Sequence, residues 1–251
     1  MHQEKLFEYV LRIADNTLIL GQRLSEWCGH GPALEEDIAL SNISLDYFGQ
    51  ATNLLKYAAE IEGKGRTEDD LAFLREESEF KNLLITELPN GDYAKTIARQ
   101  FFFSAWYQLY LKELLNSGDE FLRGFAEKSL KEVAYHLQHA SDWMIRMGDG
   151  TEESNRRIVE AVAQLWDFTP EFFMGDDLDK WATDNKIGPD PASLKSAWNE
   201  KLSEVFAEAT LSVPAEAWGQ RGGRIGRHTE YLGFLLAEMQ HMQRTFPGAK
   251  W

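Results

Sequence analysis

Apolar positions recur three and four apart along most of the chain, and no convincing period-two alternation appears, so the pattern predicts helices joined by turns. The first long helix is expected from Leu6 to Trp27, where Gly29, His30, Gly31 and Pro32 cannot continue it. The second is expected from Glu35 to Ile61. Along it Leu34, Ile38, Leu45, Phe48 and Leu55 form one apolar stripe, and Ile43, Tyr47, Ala51, Leu54 and Ala58 form another. An arc that wide predicts a helix seated centrally in a bundle. Thr67 and Asp70 have capping-box spacing ahead of a shorter helix holding Leu71 and Leu74. The turn Pro89, Asn90, Gly91, Asp92 places Asp92 to cap a third long helix, Tyr93 to Leu115.

The fourth long helix carries the clearest seam. Ala126, Leu130, Val133, Leu137, Ala140, Met144 and Met147 alternate four and three apart, the spacing of helices packed nearly parallel or antiparallel. After Gly148, Asp149 and Gly150, Thr151 with Glu152 and Glu153 opens a helix reaching about Trp166. Beyond Thr169 and Pro170 come an acidic irregular stretch, a helix from Pro191 to about Ala209, a basic glycine loop and a last helix from Thr229 to about Thr245. The expected fold is all-α: one domain spanning 1–251, with a four-helix core over about 3–147 and a helical extension over about 151–251.

Charge narrows the partners. With 41 acidic and 26 basic residues the net charge of −15 repels nucleic acid phosphates and anionic membrane surfaces. The longest apolar-rich run without charge, Gln100 to Leu111, is well short of the roughly 20 residues of a membrane helix. The start Met1, His2, Gln3, Glu4, Lys5 lacks the order of a secretory signal, and the single cysteine, Cys28, fits a reducing cytoplasm.

Two helical stretches suggest lost chemistry. Carboxylate-bridged di-iron bundles place Glu-x-x-His on each of two helices, because residues three apart share a face and point at one metal pair. Here Tyr47 and Gln50 stand at the first such station, and Val133 and His136 at the second. A phenol, a neutral amide and an isopropyl group are poor replacements for iron ligands. Asn42, Asp46, Gln50 and Asn53 form a polar stripe between the apolar ones. It reads equally as a solvated face or as a buried network replacing the metal, with Lys131 or His136 neutralising Asp46. Glu132, His136 and His139 share a stripe on which the two histidines have divalent-ion spacing, although histidines beside an apolar seam are more often held by hydrogen bonds. Glu238 and His241 match the metal-pair spacing but read as a surface or packing pair, since one pair alone cannot build the site. The first-helix ligand equivalent is open among Asp15, Gln22 and Glu26. The loop Arg221 to His228 gathers positive charge before a helix N-terminus and reads as a partner-docking element, an anion contact or a plain loop. Phe101, Phe102, Phe103, Trp106 and Tyr107 read mostly as core.

Longer ordered segments carry a resemblance. Gln22 to His30, Asp46 to Gln50, Leu88 to Asp92, Lys131 to His136, Gly148 to Thr151, Ala237 to Gln240 and the ending Pro247 to Trp251 together resemble the non-catalytic, ferritin-like structural subunit of bacterial ring-1,2-phenylacetyl-CoA epoxidase. The resemblance implies a ferritin-like bundle with added C-terminal helices and no cofactor, metal or catalytic residue in this chain. It also implies a catalytic sister subunit of the same fold holding the di-iron centre, a small accessory subunit, and an NADPH-dependent reductase with FAD and an iron-sulfur cluster. Ser104 then stands where the sister offers a carboxylate. Alternatives are a free-standing metal-binding oxygenase using Glu132, His136, His139, Glu238 and His241, an adaptor that binds CoA thioesters through the basic loop, and, for the isolated chain, a homodimer.

Overall fold

The computed structural model describes residues 2–215 and 218–249, so Met1 and the terminal Lys250 and Trp251 lie outside the described residues. Among the described residues the fold is all-α, with α1 His2–Ser25, α2 Leu34–Glu62, α3 Glu68–Phe73, α4 Leu84–Glu87, α5 Tyr93–Leu114, α6 Glu120–Gly148, α7 Glu152–Trp166, α8 Asp177–Asp184, α9 Lys195–Glu208, α10 Glu230–Met239 and α11 His241–Thr245. This is the ferritin-like class expected from the sequence. Two compact units form, one from Met1–Pro89 with Arg221–Trp251, the other from Asn90–Gln220. The division does not follow the expected boundary near 147–151, because α7 and α9 pack on α5 and α6.

The first unit is built on the α1/α2 hairpin. Gly21 lets the two helices approach closely: a Cβ there would lie 3.2 Å from the Cβ of Tyr47. Ser44 Oγ donates to the Gly21 carbonyl at 2.8 Å across the same contact. The stripe of Ile43, Tyr47, Ala51, Leu54 and Ala58 is buried. The other stripe departs from expectation, since Leu34, Ile38 and Leu45 are 72%, 51% and 65% exposed and only Leu55 is buried. Within this chain α2 therefore buries a narrower face than its sequence suggests. Thr67 and Asp70 do form the capping box, with Asp70 N–H donating to Thr67 Oγ1 at 3.2 Å and Thr67 N–H to Asp70 Oδ2 at 2.7 Å.

The second unit centres on α5 and α6. Asp92 caps α5 by accepting from Lys95 N–H at 3.0 Å. The aromatic run of α5 is core: Phe102 lies 5.9 Å from both Trp166 and Trp198, and Trp106 stacks on Phe172 at 5.3 Å, centroid to centroid. The seam of α6 is buried except for half-buried Leu130. The expected Pro191–Ala209 helix begins as a 3-10 turn over Pro191–Leu194 before α9.

Candidate functional site

Tyr47 and Gln50 lie in the first unit, and Ser104, Val133 and His136 in the second. Because α2 turns its Ile43 stripe inward, Tyr47 is wholly buried and Gln50 nearly so. Along the polar stripe Asn42 and Asn53 are exposed and Asp46 is half-buried, so the stripe is wet at its ends and dry at Gln50.

Of the three first-helix candidates, Asp15 and Glu26 are engaged in ion pairs. Asp15 is fully buried and bound by Arg75 through both guanidinium arms, Nη1 donating to Oδ2 at 3.0 Å and Nη2 to Oδ1. Lys81 N–H donates to the same Oδ2 at 2.8 Å, and the Arg75 guanidinium sits 4.1 Å over the Phe80 ring. This carboxylate is a structural ion-pair partner with its acceptor sites in use. Glu26 is exposed and pairs with Arg23 at 2.8 Å. Gln22 is half-buried beside a small cavity of about 270 Å³ lined also by Phe48 and Ala51.

In the second unit Ser104 is fully buried and accepts a hydrogen bond from Gln100 Nε2 at 3.0 Å. Val133 and His136 are also fully buried, while Glu132 and His139 are half-buried and Lys131 is exposed. The exposed Tyr135 ring flanks both histidines, 6.3 Å from His136 and 6.1 Å from His139. No group of three or more His, Cys, Asp or Glu side chains gathers as a metal-holding cluster among the described residues. The station side chains do not fit a di-iron pair on chemical grounds: a phenol, an amide, a hydroxyl, an isopropyl group and one imidazole carry none of the bridging carboxylates such a pair requires.

Glu238 and His241 are separated by a break in the expected last helix, where α10 stops at Met239 and α11 restarts at His241. Both are exposed, whereas Gln240 between them is buried and donates through Nε2 to the carbonyls of Ala72 and Arg75 at 3.3 and 3.0 Å. Packing of Gln240, rather than a metal pair, organises this stretch.

The basic loop differs most from its sequence reading. His228 does not join an outward positive cluster. Its side chain is inaccessible to solvent, with Nδ1 2.8 Å from Glu87 Oε2 and Nε2 2.9 Å from the Phe80 carbonyl. An acceptor faces each ring nitrogen, an arrangement that favours the doubly protonated ring. Burial alone pushes the imidazole down, but the Glu87 carboxylate and the Phe80 carbonyl outweigh it and hold His228 above its ordinary value. Glu87 also accepts from Thr229 N–H at 2.6 Å and Asn82 Nδ2 at 2.8 Å. The chain's own carboxylate thus occupies the α10 N-terminus, where the sequence suggested an external anion. Arg23 completes the cluster from α1, donating to the Glu87 carbonyl through Nε at 2.9 Å and Nη2 at 2.8 Å. The sequence reading missed Glu87, Arg75 and Asn82 because nothing local distinguishes them from surface residues.

Residues 1–251 match the family described as phenylacetic acid catabolic protein. The chain is 47% identical over 247 residues to a 1,2-phenylacetyl-CoA epoxidase subunit of Escherichia coli (strain K12), an alignment covering 98% of this chain and 99% of that protein.

Proposed function

The chain belongs to the phenylacetic acid catabolic protein family, and we propose that it is the structural, non-catalytic subunit of a multicomponent di-iron oxygenase that epoxidises phenylacetyl-CoA. The observation that carries this reading is the chemistry at the stations. Tyr47, Gln50, Ser104 and Val133 are buried side chains without a carboxylate among them, so bound iron would lack its bridging anions. The chain itself then has no cofactor. Iron belongs to a catalytic sister subunit of the same fold, and FAD and an iron-sulfur cluster to the reductase.

Once freed from metal binding, such a subunit is shaped by packing. The exposed Leu34, Ile38 and Leu45 on α2 are the kind of apolar stripe a protein keeps when another chain covers it. The role is to stabilise the catalytic subunit and present a surface to the accessory subunit and reductase. A cytoplasmic setting suits the exposed, free thiol of Cys28. No described helix is long and apolar enough to cross a membrane.

The test is reconstitution. Purified catalytic subunit is assayed for phenylacetyl-CoA turnover with and without this chain, and the chain purified alone from iron-supplemented cells is analysed for metal. Activity that depends on the chain, together with near-zero iron in it, is the expected result. Full turnover without it, or stoichiometric iron in it, would refute the reading.

A further inference from the structure

With His228 turned inward, the loop before it presents two exposed arginines. Arg221 and Arg227 are exposed and form no ion pair among the described residues. Four other arginines at the surface of this acidic chain are matched by its own carboxylates: Arg66 by Glu62, Arg156 by Glu153 and Glu160, Arg157 by Glu153, and Arg244 by Glu76. On a chain of net charge −15, two exposed arginines in one loop that no described carboxylate pairs with mark a local positive site.

The loop is also held in place. Arg227 N–H and Ile225 N–H both donate to the Gly222 carbonyl, at 2.9 and 3.0 Å, which closes the loop at its neck, where the backbone of Arg227 meets the residue that follows Arg221. Beneath it, Gly223 and Gly226 seat directly on the backbone of the segment leading into α4. A Cβ at Gly223 would stand 2.0 Å from the Asn82 carbonyl oxygen, and one at Gly226 2.2 Å from that of Ser78. Gly226 also has φ +78°, a conformation other residues adopt at a cost. The His228–Glu87 clamp anchors the next residues. Ile225 stays 59% exposed in the loop, and on α10 Phe234, three residues beyond Tyr231 and on the same helix face, is 71% exposed.

Pre-ordered arginines, an exposed aliphatic side chain in the same loop and an exposed aromatic one in the helix that follows it have the composition of an interface centre, where Arg, Tyr and Phe are enriched. Resting on the proposed assembly with other subunits, we propose that Arg221, Arg227, Ile225 and Phe234 dock a protein subunit whose contact face is an apolar hollow rimmed by carboxylates. Charge selects this occupant: an acidic partner is repelled by most of this chain and attracted here. Fixing the loop in advance spares the ordering cost of binding.

The experiment assembles the full complex with wild-type chain, with R221E/R227E, with F234A, and with K112E/K128E as a control carrying the same charge change on exposed lysines elsewhere. Affinity is measured at about 50 and about 300 mM NaCl, and circular dichroism verifies folding. The expected result is a loss of about tenfold or more for R221E/R227E at low salt that narrows at high salt, a salt-independent loss for F234A, and less than about a twofold change for the control. Folded R221E/R227E that assembles with wild-type affinity would overturn the docking surface and leave the structural-subunit reading standing. A wild-type chain that joins no subunit would defeat both. Tight binding of pyrophosphate to the wild type, abolished in R221E/R227E, would replace the protein partner with a phosphate ligand.

Discussion

Replacing Glu87 by alanine should release the C-terminal segment of the first unit. In the structure one buried carboxylate accepts from His228 Nδ1 at 2.8 Å, Thr229 N–H at 2.6 Å and Asn82 Nδ2 at 2.8 Å. Glu87→Ala strands the His228 Nδ1 and Thr229 N–H donors, takes from Asn82 Nδ2 one of its three acceptors, and leaves buried His228 without its counter-charge. Removing one partner of a buried, hydrogen-bonded ion pair costs about 3–5 kcal/mol. His228 can recover part of that by losing its proton, which places the expectation near the lower end, about 3 kcal/mol. With two compact units a single global unfolding free energy is poorly defined, so the assay is amide hydrogen exchange read locally over α10. At about 1.4 kcal/mol per factor of ten, protection of residues 230–239 should fall about a hundredfold or more. Glu87→Gln, which keeps the shape and one acceptor oxygen, should lose less. A fall below about threefold in Glu87→Ala would show that the cluster is not what holds α10 and would refute the argument.

The same pair makes a pH prediction. The folded pKa of His228 is raised above its unfolded value of about 6.5, so its contribution is complete below about pH 6.5 and is lost as pH rises through the folded value. Exchange over α10, corrected for the intrinsic rate, should therefore accelerate on going from pH 6 toward alkaline pH, and Glu87→Ala should flatten that dependence. Arg75→Met leaves Asp15 as an unpaired buried carboxylate and should destabilise the first unit by about 3–5 kcal/mol in denaturant titrations. Adding Asp15→Asn should restore a substantial part of that. Gly21→Ala puts a methyl 3.2 Å from the Tyr47 Cβ. The overpacking of about 1–3 kcal/mol should exceed the helix-propensity gain of about 1 kcal/mol and lower the melting temperature. Asp92→Ala removes the α5 N-cap and should cost about 1 kcal/mol in the same titrations.

Much of the backbone is legible residue by residue. The long helices follow from apolar spacing, and Thr67, Asp92 and Thr151 mark helix starts whose caps form as local chemistry dictates. The aromatic run of α5 identifies itself as core by its density. The proposed reading of Tyr47, Gln50 and Val133 as lost metal stations also rests on the one-dimensional pattern, because Glu-x-x-His is a local spacing rule.

The illegible parts share one cause, which is distance along the chain. Asp15 and Arg75 are 60 residues apart and Glu87 and His228 are 141 apart, and no spacing rule reaches that far. An apolar residue on a helix face says that water is unfavourable there but not which chain will exclude it, and so Leu34, Ile38 and Leu45 looked like core and are exposed. By itself the sequence determined the helices and their caps, properties of neighbours within a turn or two. Only the tertiary structure decided which charges are buried in pairs and which stay outward, because burial and pairing arise when distant segments meet and water is excluded between them. It turned His228 inward to Glu87 and left Arg221 and Arg227 facing solvent.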